Sequence, residues 1–137
     1  RFHVMDGLGL KMLVESRLHV AVITESDTPA VAKRMQDLGI RHVFAGVPDK
    51  RACMLDLAAQ LGLGIEDVAH VGDDFPDLGL LGTVGFAIAV ANAHPVIAHV
   101  AHWRTQRNGG HGAVREVCEL LLAAQGKLGG AIQRFRG

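Results

Sequence analysis

Cysteine, net charge and long apolar runs are all scarce in this sequence, and each shortage excludes a class of protein. Only two of the 137 residues are cysteines, Cys53 and Cys118; both lie in apolar helical patterns, as buried reduced thiols do. The 14 basic and 14 acidic residues cancel, so charge gives no argument for a nucleic acid or an anionic membrane. Apolar runs such as residues 85–91 are too short to span a bilayer. We therefore predict a cytoplasmic protein that binds neither nucleic acid nor membrane.

The abundant residues favour a folded domain, because 49% of the chain is hydrophobic and 20% is charged. Predicted strands cover residues 19–24, 42–45, 68–71 and 85–90. Predicted helices cover residues 9–17, 29–38, 49–61, a short stretch after Asp74, and 112–125. This alternation predicts an α/β fold of three layers with a mostly parallel central sheet. We assign residues 1–126 to this core and residues 127–137 to a glycine-rich tail, expected to be mobile or to dock on a neighbour.

The end of the third predicted strand is the most informative segment. Gly72 follows the apolar run 68–71, and the carboxylates Asp73, Asp74 and Asp77 follow it closely. Open α/β sheets bind ligands at the carboxyl ends of their strands. Adjacent carboxylates repel each other, and a hard cation such as Mg²⁺ relieves that repulsion. We predict a Mg²⁺ site here; the alternative is a polar turn in which an aspartate caps a helix.

Two further side chains follow other strands. Thr24 ends the first predicted strand, and Lys50 follows the second through a turn. A hydroxyl donor, an ammonium group and a carboxylate–metal site together suit phosphoryl transfer, in which charge neutralisation and positioning supply most of the catalysis. Taken alone, each has an ordinary alternative: a structural threonine and a solvated lysine.

These residues resemble a known superfamily. Thr24, Lys50 and the Gly-Asp-Asp-x-x-Asp of residues 72–77 are similar to the second, third and fourth motifs of the haloacid dehalogenases. Residues 2–11, 90–95, 109–117 and 122–128 resemble the 3-deoxy-D-manno-octulosonate 8-phosphate phosphatases. The resemblance implies a Rossmann-like core without a large cap domain. It also implies a cytoplasmic, Mg²⁺-dependent phosphatase of lipopolysaccharide synthesis, assembled as a homotetramer whose neighbouring subunits help to close each site.

The resemblance also implies roles for individual residues. Asp73 would be the direct Mg²⁺ ligand, supported by Asp74 and Asp77, while Thr24 and Lys50 would hold the phosphate. Residues 110–116 would belong to a region that packs at the subunit interface. The residues implied to contact the phosphorylated sugar acid, besides Lys50, are His3, Val4, Met5, Asp6, Gly7, Lys11 and Arg34.

The sequence departs from the family pattern at several points. It contains no Asp-x-Asp motif, whose first aspartate is the family's nucleophile and whose second is its general acid and base. Thr24-Glu25-Ser26 stands where the family has Thr-Gly-Arg, and Met5 and His111 replace arginines. Because the family's opening strand lies between strands like 19–24 and 68–71, we expect an upstream segment to carry the missing motif.

Three functions stay open at this point. The first is hydrolysis of 3-deoxy-D-manno-octulosonate 8-phosphate through an aspartyl-phosphate intermediate. The second is hydrolysis of another sugar phosphate, which the departures at residues 5, 25 and 26 favour. The third is a non-catalytic binding or scaffold protein that keeps only the fold.

Overall fold

The structure is a computed structural model that describes residues 4–25 and 29–136, without the side chains of Val4, Met5 and Val31. Within these ranges the helices are α1 (Val4–Glu15), α2 (Pro29–Asp37), α3 (Lys50–Gln60), α4 (Leu78–Leu81), α5 (Pro95–Val100), α6 (Ala113–Ala124) and α7 (Leu128–Arg136). The strands are β1 (Ala21–Ile23), β2 (His42–Phe44), β3 (Ala69–Gly72), β4 (Phe86–Ala89) and β5 (Trp103–Arg104). Short 3-10 turns lie at Ile65–Asp67 and Phe75–Asp77.

All the strand pairs are parallel, which confirms the predicted fold class, but the strands form two sheets instead of one. β1 pairs with β2, and β3, β4 and β5 form a separate sheet in that order. A cavity of about 170 Å³ lies between the sheets, with Val20, Ala21, Val68 and Ala69 in its lining. Among the described residues, β1 and β3 each pair on one side only. This gap lies where the resemblance implies the family's opening strand, between strands like 19–24 and 68–71.

Helices cover both faces of the sheets, as the three-layer prediction requires. Successive residues of a strand point to opposite faces, and in β1 Val22 packs with one buried cluster and Ile23 with the other. The first cluster is formed by the buried residues Leu10, Met12, Leu13, Met35, Leu38, Ile40, Cys118, Leu122 and Ala131. The second is formed by Met54, Ala58, Leu80, Leu81, Val84, Ala87, Ala89 and Ile97. Helices α1, α2, α6 and α7 therefore cover one face, and α3, α4 and α5 cover the other.

Helix α1 begins at Val4, five residues before the predicted start. The prediction failed because Gly7 and Gly9 are poor helix formers, whereas packing decides this segment. A Cβ atom at Gly9 would lie 3.1 Å from Cβ of Cys118, so the missing side chain lets α1 approach α6 closely.

The predicted tail is helical and packs on the core. Ala131 of α7 is 1% exposed and belongs to the first cluster. Ser16, just after α1, accepts hydrogen bonds from Lys127 Nζ on its carbonyl and from Arg134 Nη2 on its hydroxyl, both at 3.0 Å. These contacts tie residues 127–136 to the core, while the division of the chain at residue 126 stays a prediction. The glycines suggested a flexible segment, but tertiary contacts outweigh their low helix propensity.

The helices and the two cysteines bear on the classes of protein that composition excluded. None of the helices in the described ranges combines the length and apolar character that crossing a membrane requires. Cys118 is buried, as predicted, and burial raises the pKa of its thiol to about 12. Cys53 is half-buried, and burial together with the charge of Asp56 also raises its pKa. Neither thiol is therefore activated as a nucleophile.

Candidate active site

The acidic segment after β3 folds back tightly on the strand. A Cβ atom at Gly72 would lie 2.7 Å from Cβ of Asp77 and 2.9 Å from Cδ1 of Leu81. Only a glycine allows this approach, which differs from the predicted role of Gly72 as a turn residue. Asp74 caps the 3-10 turn by accepting a hydrogen bond from the N–H of Phe75 at 2.8 Å. The capping alternative therefore applies to Asp74, and the same turn gathers the carboxylates; the Mg²⁺ site at these residues stays a prediction.

Asp77 is the centre of this segment and is only 3% exposed. Its Oδ2 accepts hydrogen bonds from the N–H groups of Asp73 at 3.0 Å and Asp74 at 3.4 Å. Its Oδ1 accepts from Lys50 Nζ at 3.1 Å and His70 Nε2 at 2.9 Å. A single carboxylate therefore joins β3, the turn after it and the start of α3.

The carboxylates of Asp73 and Asp77 have opposite pKa shifts. Burial alone would raise the pKa of Asp77, but its hydrogen bonds with His70 and the Asp73 N–H, and the nearby charges of His70 and Lys50, outweigh burial and lower it. The pKa of Asp73 is raised, first by burial and then by Asp77 and Asp74, against a smaller opposite effect of Lys50. Of the two carboxylates, Asp77 is therefore the one whose negative charge this environment stabilises.

Lys50 is held at the first position of α3. Asp49 caps this helix by accepting a hydrogen bond from the N–H of Ala52 at 3.0 Å. The Lys50 side chain is 15% exposed, so its ammonium group remains within reach of solvent while it contacts Asp77. The structure therefore brings together Lys50 and Asp77, which the sequence placed in one site.

Thr24 extends the β1–β2 ladder beyond the strands. Its N–H donates to the carbonyl of Phe44 at 2.9 Å, and its carbonyl accepts from the N–H of Val47 at 3.0 Å. This places Thr24 at the carboxyl end of β1, beside the loop that leads to Lys50. Asp73 likewise follows the carboxyl end of β3. The role of Thr24 in holding phosphate stays a prediction.

The residues implied to contact a sugar acid lie mostly on or beside α1. Asp6 is 1% exposed and accepts a hydrogen bond from the N–H of Arg115 at 3.0 Å, which gives this carboxylate a structural role in the first turn of α6. Gly7 lies against Arg34, because a Cβ atom there would be 2.6 Å from Nη2 of Arg34. Lys11 is exposed on α1.

Three of the residues implied to contact the sugar acid, at positions 3–5, have side chains that the structure does not describe. His3 lies outside the described residues, and the side chains of Val4 and Met5 are not described either, although both residues begin α1. The proposed contacts of residues 3–7, 11 and 34 with substrate therefore stay predictions.

Glu116 organises the loop that precedes α6. It accepts hydrogen bonds from the N–H groups of Gln106 and Arg107, at distances of 3.0 to 3.1 Å. Asn92 holds the same loop by accepting from the N–H of Gly109 at 2.8 Å. The segment 110–116, which the resemblance assigned to a subunit interface, is thus fixed within the chain; its part in an interface stays a prediction.

Two site residues were missed in the sequence. His70 was counted as part of an apolar strand, yet it bonds to Asp77. Phe75 is 56% exposed, and its ring centre lies 4.6 Å from that of His94, whose N–H donates to the carbonyl of Asp73. One signal was available for His70: it is the one titratable residue of the run 68–71 and lies two positions before Gly72.

The donor set suits Mg²⁺ better than a transition metal. In the part of the chain that the structure describes, no three His, Cys, Asp or Glu side chains are grouped as a metal site. Magnesium needs no such cage, because it keeps several waters and binds through one or two carboxylates and substrate phosphate. The exposed carboxylate of Asp73, just after the carboxyl end of β3, fits this requirement.

Comparison with known proteins agrees with this geometry. A family profile described as haloacid dehalogenase-like hydrolase matches residues 29–117. The 3-deoxy-D-manno-octulosonate 8-phosphate phosphatase of Yersinia pestis is 44% identical over 130 residues, which are 95% of this chain and 70% of that protein. The chain belongs to the 3-deoxy-D-manno-octulosonate 8-phosphate phosphatase family of haloacid dehalogenase-like hydrolases. The resemblance stated from the motifs is therefore confirmed.

Solved structures of this family share the fold. A 3-deoxy-D-manno-octulosonate 8-phosphate phosphatase from Moraxella catarrhalis, in complex with magnesium, phosphate and KDO, superposes with a TM-score of 0.94 at 40% identity. That match covers 98% of this chain and 77% of the other. A hypothetical protein from Xanthomonas campestris gives a TM-score of 0.96 at 48% identity, over 99% of this chain and 74% of the other.

Proposed function

We propose that this protein is a Mg²⁺-dependent phosphatase that hydrolyses a phosphorylated sugar acid, 3-deoxy-D-manno-octulosonate 8-phosphate. The observation that carries the proposal is the Asp77 carboxylate, which fixes Lys50 and the backbone of Asp73 and Asp74 in one site. Further support comes from relatives named 3-deoxy-D-manno-octulosonate 8-phosphate phosphatase, such as the 44% identical protein of Yersinia pestis, and from a related structure that holds magnesium, phosphate and KDO.

Each side chain then has a chemical task. Lys50 offers an ammonium group to the negative phosphoryl oxygens, and Thr24 offers a hydroxyl. Asp73 would hold the Mg²⁺ ion, which supplies further neutralisation of phosphoryl charge when it is bound. Asp77 keeps Lys50 and the backbone around Asp73 in position. The aspartyl-phosphate step requires the Asp-x-Asp motif, which residues 1–137 do not contain.

The cellular setting follows the family. We propose a cytoplasmic homotetramer that acts in lipopolysaccharide synthesis, with neighbouring subunits helping to close each site. Within the described residues, Asp73 and Asp74 lie in a short, exposed turn, which leaves room for a neighbouring subunit beside them. Sedimentation of the purified protein tests the assembly: a monomer at the concentration of the assay would contradict it.

Phosphate release tests the activity. The protein made from its complete gene is assayed on 3-deoxy-D-manno-octulosonate 8-phosphate, with and without Mg²⁺. Hydrolysis that requires Mg²⁺ is expected. A panel of other sugar phosphates tests the second candidate, which the residues Met5, Glu25 and Ser26 favour, and preference for another member would correct the substrate. Absence of hydrolysis on the whole panel would leave only a non-catalytic role.

Two matched variants test the proposed metal ligand. Asp73→Asn should lower the activity by more than the roughly 10–100-fold that outer-shell substitutions cost. Asp37→Asn is the control, because Asp37 is an exposed carboxylate at the last position of α2. It should leave the activity unchanged. Equal turnover of both variants at saturating Mg²⁺ would remove Asp73 from the site.

A further inference from the structure

His70 and Lys50 donate to the same oxygen of a buried carboxylate. His70 Nε2 lies 2.9 Å and Lys50 Nζ 3.1 Å from Oδ1 of Asp77. Lys50 Nζ and the N–H groups of Asp73 and Asp74 also donate to this carboxylate, so it is an acceptor and His70 donates its Nε2–H. The two donors come from different elements, β3 and α3, and their side chains are 18% and 15% exposed. One oxygen of Asp77 therefore has two donors, and either of them alone would leave it hydrogen-bonded.

This duplication matters because Lys50 has a second task. In the proposed function its ammonium group must turn to the phosphoryl group of the substrate, and its flexible four-carbon stem allows that movement. Leaving an oxygen of a buried carboxylate without a donor is unfavourable, even when its other oxygen keeps two backbone N–H groups, as Oδ2 of Asp77 does. If Lys50 were the sole donor to Oδ1, breaking its ion pair with Asp77 would oppose phosphate binding and weaken the affinity for phosphate.

We propose that His70 is a positioning residue that keeps Asp77 satisfied when Lys50 leaves it for the substrate phosphate. This inference rests on the proposed function. His70 touches neither substrate nor metal in this role; it acts through Asp77, whose Oδ2 meanwhile keeps the backbone of Asp73 and Asp74 in place. Loss of the His70 donor should thus weaken phosphate binding by retaining Lys50 on Asp77.

The test measures the affinity of the full chain for inorganic phosphate in the presence of Mg²⁺ by titration calorimetry. His70→Phe, which keeps a ring but donates nothing, should weaken phosphate binding about tenfold, the effect of losing a hydrogen bond to a charged group. His70→Asn, whose amide is too short to reach Asp77, should weaken phosphate binding to the same extent. It replaces His70→Phe in the test if that variant fails to fold. His70→Gln, whose amide nitrogen takes the place of Nε2, should restore binding to within about twofold.

Repeating the measurement in the Lys50→Met variant separates the proposed role of His70 from a purely structural one. In Lys50→Met there is no ammonium group to release, so His70→Phe should change phosphate affinity little. A general loosening of β3 would instead weaken binding equally in both backgrounds. In the enzyme assay the same substitution should raise KM and leave kcat nearly unchanged.

The outcomes are distinct. Failure of the unsubstituted protein to bind phosphate with Mg²⁺ would overturn the proposed function and this inference with it. Phosphate binding that is insensitive to His70→Phe, or equally sensitive in the Lys50→Met background, would overturn this inference alone. Restoration by glutamine, together with coupling to Lys50, would support it.

Discussion

Replacing Asp77 with asparagine should destabilise the protein substantially. The amide keeps one oxygen, which can still accept from the N–H groups of Asp73 and Asp74. Its NH₂ group would then face Lys50 Nζ and His70 Nε2, so donors meet donors. Hydrogen bonds to charged groups contribute about 1.5–3 kcal/mol each. Losing two would cost about 3–6 kcal/mol, and because water reaches both donors we expect about 2–4 kcal/mol.

The dependence of this loss on pH gives a sharper test. The pKa of Asp77 lies below its ordinary value of 3.8, so its ionisation stabilises the folded state above about pH 4. That stabilisation disappears as the pH falls through the lower, folded-state pKa. The difference in unfolding free energy between the wild type and Asp77→Asn should therefore be full at neutral pH and shrink in strong acid.

Urea denaturation from neutral to acidic pH, without Mg²⁺, measures both quantities. Asp37→Asn is again the control, since this carboxylate is exposed and should change the free energy of unfolding by less than about 0.5 kcal/mol. A loss below about 1 kcal/mol for Asp77→Asn at pH 7, or a loss that persists unchanged in acid, would refute the assigned hydrogen bonds.

Three further substitutions test packing by thermal unfolding. Gly72→Ala should cost about 1–3 kcal/mol, because its Cβ would lie 2.7 Å from Cβ of Asp77; a neutral result would contradict the close approach. Its matched control, Gly129→Ala in α7, meets no atom within 4 Å and should stabilise by up to about 1 kcal/mol. Asp6→Ala removes the buried acceptor for the N–H of Arg115 and should lower the free energy of unfolding by about 1–2 kcal/mol. A decrease no larger than that of Asp37→Asn would show that Asp6 does not stabilise α6 through this hydrogen bond.

The strands and the convergence of the site could be read from the sequence because local rules decide them. The β-branched and apolar runs gave the four longer strands to within two residues at each end. The rule that ligands bind at the carboxyl ends of strands predicts from the sequence alone that Lys50 and Asp77 share one site, as they do. Division of the strands between two sheets was not predicted, because one central sheet was expected; the gap beside β1 lies where the resemblance implies the family's opening strand.

The remaining features depend on contacts between distant parts of the chain. The early start of α1 and the whole of α7 were missed because glycine lowers helix propensity, while the packing of Gly9 on α6 and of Ala131 in the core overrides it. Asp6 was assigned to substrate, yet its partner Arg115 is more than a hundred positions away. His70 was passed over because a histidine within a strand has no local feature that shows which side chain it meets.

The position of β4 has a consequence for motion in the site. This strand has neighbours on both sides, and Ala87, Ile88 and Ala89 are fully buried. We expect its amide hydrogens to exchange with solvent most slowly, and those of the two-stranded pair that ends at Thr24 to exchange sooner. The buried carboxylate of Asp77 thus lies next to the most rigid strands of the described structure. Thr24 lies on a pair of strands that can adjust its position to a bound substrate.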